Sequence, residues 1–260
     1  MRTALRTELQ GSQAGPGCGN LTCGEGLLVR IAQRRDEFRQ AFNLLYRAYR
    51  ARGYVEAHPH AIVYRLSYGL STSRTIVALS RGEGGGLTMA GTLTVVGDGC
   101  LGLPMERDYP REVRQLRGRG RRLAEVSGLA IAQQQRSPLL QTFYLLTRFL
   151  VQYSCSRDVQ DLLITVHPRH AAFYRDWFCF EPCGPVKPCT AAGGHRGVAY
   201  RLDLERLCER GDRQVYMNYF HPPIPYEEFD RPGMRQEDHL YFCCLAGLPH
   251  EAAARRHRTA

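Results

Sequence analysis

From residue 27 onward the apolar positions fall into short runs whose period switches between two and about 3.6. "LLVRIAQ" (27–33) alternates as a half-buried strand does. Asp36 can cap the helix that follows, in which Phe38, Phe42, Leu45 and Tyr49 recur at helical spacing until Gly53 stops it. "RTIVALS" (74–80) and "LTMAGTLTVVGD" (87–98) read as two strands joined by a glycine-rich hairpin turn at 82–86. "GLPMERDYPREVRQLRGRGRR" (102–122) is polar, basic and irregular, a connector rather than an element. "LAEVSGLAIA" (123–132) is the next strand. Ser137-Pro138 has the serine-then-proline order of a helix start and leads the apolar helix "LLQTFYLLTRFLVQYS" to about residue 154. "DLLITV" (161–166) is a buried-type strand, and His167-Pro168 opens a helix over "RHAAFYRDWF". After a short "CFEPCG" stretch, "GVAYRLDL" (197–204) sets Val198, Tyr200, Leu202 and Leu204 on one face.

Strands and helices in this order predict an α/β fold around a central sheet, without internal repeats. Residues 1–25 are rich in Gly, Ser, Thr and Gln, lack periodicity, and are expected to form a disordered lead. Residues 26–208 form the folded domain. Residues 209–260 carry proline-rich, acidic and cysteine-containing pieces and a basic end, an extension whose structure the pattern does not define.

Composition narrows the class. With 43% hydrophobic and 23% charged residues the chain is that of an ordinary soluble globular protein. No apolar run approaches the roughly 18 residues of a membrane span, and no apolar segment follows Arg2 and Arg6 as in a secretory signal. The expected location is the cytoplasm, that of a bacterium. The net charge of +10 comes mostly from arginine and suits an acidic protein, a membrane surface or nucleic acid. No nucleic-acid motif or interleaved aromatic set accompanies it, so nucleic acid is not expected. The ten cysteines include no Cys-x-x-Cys pair, and Cys179, Cys183, Cys189 and His195 match no common zinc spacing. They read as reduced thiols packing as small hydrophobes, with no metal expected.

Two adjacent stretches compete to carry the chemistry. Gln115 to Gly120 has the letters of a pyrophosphate-binding loop, but a strand follows it where such a loop opens a helix. Gly118 and Gly120 are therefore read as turn residues. In the strand, Leu123, Glu125, Ser127, Leu129 and Ile131 share one face, with Ala124, Val126, Gly128 and Ala130 on the other. A carboxylate among apolar neighbours on a central strand must either pair with an arginine or be kept for a task.

"EVSGLAI" (125–131) resembles the Glu-x-Ser-x-x-Ala motif of acyl-homoserine lactone (autoinducer) synthases, and more closely that of the related long-chain N-acyl amino acid synthases. Further similar stretches run in order: 41–54, 90–110 and 167–184. Together they cover roughly residues 27–205. The resemblance implies a GNAT-like acyltransferase fold, a mixed central sheet whose central strands splay apart between flanking helices. It implies transfer of a long-chain fatty acyl group from an acyl carrier protein thioester to the α-amino group of an amino acid. It implies no resident cofactor, the acyl-phosphopantetheine arriving as co-substrate on the carrier protein. Such carriers are acidic, so Arg111, Arg114, Arg117, Arg119, Arg121 and Arg122 would suit their docking. The lipid product would allow contact with a membrane surface.

On this reading Glu125 is the general base that takes the proton of the acceptor ammonium, and Ser127 holds a water or the substrate. Thr165 assists. Tyr174 matches the helix tyrosine that reprotonates the leaving thiolate, with packing beside Phe173 as its competing role. His167 and His170 cap or pack at the helix start. Two positions depart from the pattern. Gly128 stands where autoinducer synthases place an arginine, which argues against S-adenosylmethionine as a substrate, and Cys179-Phe180 replaces Gly-Phe. The rival functions are a coenzyme-A-dependent N-acetyltransferase and a non-catalytic lipid- or protein-binding module. The glycine-free "QQQRSP" (133–138) argues against the former, and Glu125 and Ser127 against the latter.

Overall fold

The computed structural model describes residues 26–81, 85–133, 139–209 and 213–249. The expected disordered lead, the turn residues 82–84 and the Ser137-Pro138 helix start lie outside them. Strand β1 (Leu27–Ile31) buries alternate residues, as its pattern requires. Helix α1 (Arg35–Arg50) starts one residue before Asp36. Glu37 rather than Asp36 satisfies the free amides ahead of its first turn, accepting from the backbone N–H of Gln33 at 2.9 Å and of Arg34 at 3.3 Å. Strands β2 (Ser73–Arg81) and β3 (Leu87–Gly97) form the expected hairpin arms.

The segment expected to be irregular is not. A single 3-10 turn over Pro104–Arg107 leads into α2 (Pro110–Gly118), which buries Val113 and Leu116 against Leu103, Tyr109 and Leu163. Two apolar positions in nine residues leave too weak a period to read, and proline at the first turn with long hydrogen-bonded arginines does the rest. Gly120 is a turn residue with φ +70°, as expected, whereas Gly118 is the last residue of the helix.

Beyond it come β4 (Leu123–Ile131), α3 (Leu139–Ser156), β5 (Asp161–Val166), α4 (Ala171–Phe178), the short strands β6 (Glu181–Pro182) and β7 (Lys187–Pro188), and β8 (Arg196–Asp203). The sheet runs β1-β2-β3-β4-β5-β8-β6, with β7 also on β8. Neighbours are antiparallel except β4 and β5, which are parallel. Helix α1 packs on one face with Phe38, Phe42 and Leu45, and α3 on the other with Phe143, Leu146 and Phe149.

The described part of the extension, residues 213–249, is folded. Helices α5 (Leu204–Glu209) and α6 (Arg213–Phe220) follow β8, and Tyr219, Phe220 and Phe229 join the α3 face. Gln152 of α3 donates to the Tyr219 carbonyl at 2.9 Å. The chain then crosses to the other face, where α7 (Gln236–Leu245) sets Phe242 against Phe38, Phe42 and Tyr64. Residues 213–249 thus clasp both sides of the sheet.

Candidate active site

Strands β4 and β5 pair only through Leu123 with Asp161, Ala124 with Leu162 and Glu125 with Leu163. Past Glu125 they part. A bulge in the β3–β4 ladder sharpens the divergence: Thr94 faces Ser127 but Thr92 faces Ala130, so Leu93 opposes both Gly128 and Leu129. Gly128 has φ +64°, a conformation glycine adopts without penalty. The bulge also breaks the strict alternation expected from the sequence. Leu129 and Ile131 pack with Ala124 and Val126 on the α3 face, while Ala130 joins the α1 face with Tyr68.

The gap is the waist of a cavity of about 640 Å³ that reaches both faces of the sheet. On the α1 side its walls are polar, with Tyr49, Arg65, Asp108, Glu125 and Ser127. On the α3 side they are apolar, with Phe143, Leu150, Ile164, Phe173, Phe178 and Tyr219.

Glu125 sits where the strands separate and is 6% exposed. One carboxylate oxygen accepts from the Met105 backbone N–H at 2.7 Å. It makes no ion pair among the described residues. Burial pushes its pKa up to about 8, with the Met105 N–H and the Arg65 charge pulling the other way. Ser127 Oγ is hydrogen-bonded to the Tyr68 hydroxyl at 2.9 Å. Thr165 and Tyr174 also line the cavity, so all four residues proposed for catalysis converge on it. Tyr174 is ringed by Phe143, Phe173, Phe178 and Phe180, and burial pushes its hydroxyl up to about 12. His167 Nδ1 accepts from the Arg169 N–H, the capping role expected of it. Both His167 and His170 line the cavity as well.

The arginines of residues 111–122 line no part of it. Arg117 is held by Asp98 at 2.6 Å and by Glu106. Arg121 is held by Asp161 at 2.6 Å, Asp203 at 3.0 Å and Glu205 at 2.5 Å. Both therefore pair with carboxylates of their own chain. Arg111, Arg114, Arg119 and Arg122 are exposed. The basic residues at the cavity are instead Arg47, Arg52, Arg65, Arg196, His167 and His170. Sequence reasoning missed Arg65, Tyr49 and Tyr68. An arginine set in the apolar run "AIVYRLSYGL" (61–70) is the signal that could have found the first.

Comparison with known proteins identifies this arrangement. The family described as N-acyl amino acid synthase FeeM matches residues 40–203. The chain belongs to that family. It is an acyltransferase, and its fold is GNAT-like. FeeM, an N-acyl amino acid synthase from uncultured soil microbes, shares 24% identity and superposes with a TM-score of 0.58 over 71% of this chain and 93% of its own. The acyl-homoserine lactone synthase LasI shares 16% identity, with a TM-score of 0.54 over 77% of this chain and 98% of its own. The coenzyme-A-dependent acyl-homoserine lactone synthase BjaI, with 14% identity and a TM-score of 0.54, covers 82% of this chain and 97% of its own. No curated protein matches the sequence. In the enzyme, Gly128 explains the missing arginine after the serine. A Cβ there would stand 3.0 Å from both Leu45 and the Tyr68 hydroxyl.

Proposed function

We propose that the enzyme moves a long-chain fatty acyl group from a thioester on an acidic acyl carrier protein to the α-amino group of an amino acid, with Glu125 as general base. The observation that carries this reading is the placement of Glu125: a buried carboxyl group with no ion-pair partner among the described residues, at the waist of a cavity polar on one side and apolar on the other. An amino acid arrives as its ammonium form, which cannot attack a carbonyl. A base whose pKa is near 8 takes that proton at neutral pH more readily than an ordinary carboxylate. The freed amine forms the C–N bond; as the C–S bond breaks, the second proton lost by the nitrogen passes to the departing thiolate, and the carrier leaves as its free thiol. Ser127, fixed by Tyr68, orients the acceptor or a relaying water, and Thr165 faces the same space. The apolar half takes the acyl chain, where burial stabilises it by about 0.8 kcal/mol per methylene.

Two features support a donor presented on a carrier protein. The stretch after β4, "QQQRSP", has no glycine for a coenzyme cradle. Exposed Arg114, Arg119 and Arg122, with Arg52 at the cavity, offer positive charge to an acidic carrier and its phosphate. The deciding experiment is mass spectrometry of lipid extracts from cells expressing the wild type and Glu125→Gln. The expected result is an acylated amino acid in the first and its loss in the second. Purified enzyme offered the same acyl group on carrier protein and on coenzyme A should prefer the carrier. Equal use of both would refute the carrier-protein donor.

A further inference from the structure

Arg65 stands just ahead of a 3-10 turn over Leu66–Gly69 and lines the same cavity as Glu125. Its Nη2 donates to the Ala191 carbonyl at 3.2 Å, and among the described residues no carboxylate lies within ion-pair distance of it. The contrast with other half-buried arginines is sharp. Arg30 holds Glu37 at 2.5 Å, Arg121 holds Asp161 at 2.6 Å and Arg201 holds Asp161 at 2.5 Å. A guanidinium has five donors, and withdrawing it from water without an anion is costly. Asp108, the other carboxylate at the cavity, is taken up by Thr190, whose N–H and hydroxyl donate to it at 3.0 and 2.6 Å. Glu125 and Arg65 feel each other's charge but do not close into a pair. A carboxyl group and a guanidinium therefore line one cavity without pairing to each other.

We infer that Arg65 is the seat of the acceptor's α-carboxylate, so that the enzyme selects free α-amino acids over their amides and over decarboxylated amines. The inference rests on the amino acid acylation proposed above and adds the rule by which the acceptor is chosen. In an α-amino acid the ammonium and carboxylate sit on one carbon. A ligand with its amino group at Glu125 and its carboxylate at Arg65 engages both side chains at once. The guanidinium fork fits a carboxylate through two parallel hydrogen bonds. The same contact holds the amine beside the base that deprotonates it, so carboxylate recognition and proton removal are coupled through one substrate pose. The exposed arginines of the cavity, Arg47, Arg52 and Arg196, lack this placement because water screens them.

The test uses the twenty standard amino acids and their carboxamides as acceptors, with a C8–C16 series of acyl thioesters on carrier protein and on coenzyme A. Wild type should acylate the preferred acid with a kcat/KM at least about tenfold above that of its amide. Arg65→Met should lower kcat/KM for the acid by about 10- to 100-fold, through KM, and leave the amide within about threefold. Arg65→Lys should recover part of the loss for the acid alone. Because the acid-to-amide ratio is read on one preparation, an unfolded fraction cancels. Equal wild-type use of acids and amides overturns the inference and leaves the amino-group acylation standing. An equal loss on both acceptors in Arg65→Met also overturns it, by assigning Arg65 to the fold. Acylation of neither set by wild type overturns the proposed function and this inference together.

Discussion

At the scale of single residues the chemistry turns on where each charge is stored. Glu125 keeps its proton to about pH 8 because burial disfavours the carboxylate more than one backbone N–H and the Arg65 charge favour it. In the free enzyme kcat/KM should therefore rise with pH through an apparent pKa near 8, measured with a saturating donor. Glu125→Gln should fold and lose about 10²- to 10⁴-fold in turnover, the usual contribution of a positioned base. The same shift acts on stability. The folded pKa lies above the ordinary value of 4.5, so the stability this group contributes is fully present below about pH 4.5 and lost as pH rises through 8. Glu125→Gln, which cannot ionise, should then melt above wild type at pH 9, with the difference gone by about pH 4. Tyr174 is the opposite case. A hydroxyl pushed up to about 12 and ringed by phenylalanines holds its proton too tightly to protonate a thiolate well. Tyr174→Phe should retain turnover to within about tenfold in a steady-state assay. Retention assigns Tyr174 to packing; a larger loss restores it as the acid.

At the scale of elements the site is made by the ways β4 departs from a regular strand. Its parallel pairing with β5 stops at Glu125, and the bulge at Gly128 turns the later residues over. Gly128→Ala should destabilise the fold by about 1–3 kcal/mol, since φ is positive and the new methyl meets Leu45 and the Tyr68 hydroxyl. It should also depress turnover, because Tyr68 holds Ser127. Denaturant titration beside a turnover assay checks both. Strands and the long helices were legible because burial imposes a period on them: 161–166 is the strand its run of Leu, Leu and Ile describes. The α2 helix was not, because its partners lie in β4, β5 and β8 rather than in its own pattern. The face assignment past Gly128 failed for a related reason. A bulge is a property of two strands in register, and one strand's letters do not record it.

For the whole molecule, the segment least readable in sequence closes the structure. Fully buried Phe229 and Phe242 anchor it on opposite faces of the sheet. Ending the chain after residue 230 would uncover Phe38, Phe42 and Tyr64, which pack on Phe242. That variant should melt well below the full chain and scatter light on heating. The basic charge divides in the same way between inside and outside. Arg121→Ala leaves fully buried Asp161 paired with Arg201 among the described residues and should cost about 1–3 kcal/mol, whereas exposed Arg114→Ala should stay within about 0.5 kcal/mol. Paired denaturation curves measure the difference.

The sequence by itself determined the order of the main strands and the long helices and the oddity of Glu125, because each follows from hydrophobic period or from one charge among apolar neighbours. It also carried the family, through motifs in the right order. Only the tertiary structure decided which arginines are free and which are neutralised, and which residues beside Glu125 complete the cavity. Ion pairing and burial depend on distances between segments far apart in the chain: residue 121 meets 161, 203 and 205, and residue 65 meets 191. No local pattern encodes those meetings, since they exist only once the sheet has folded.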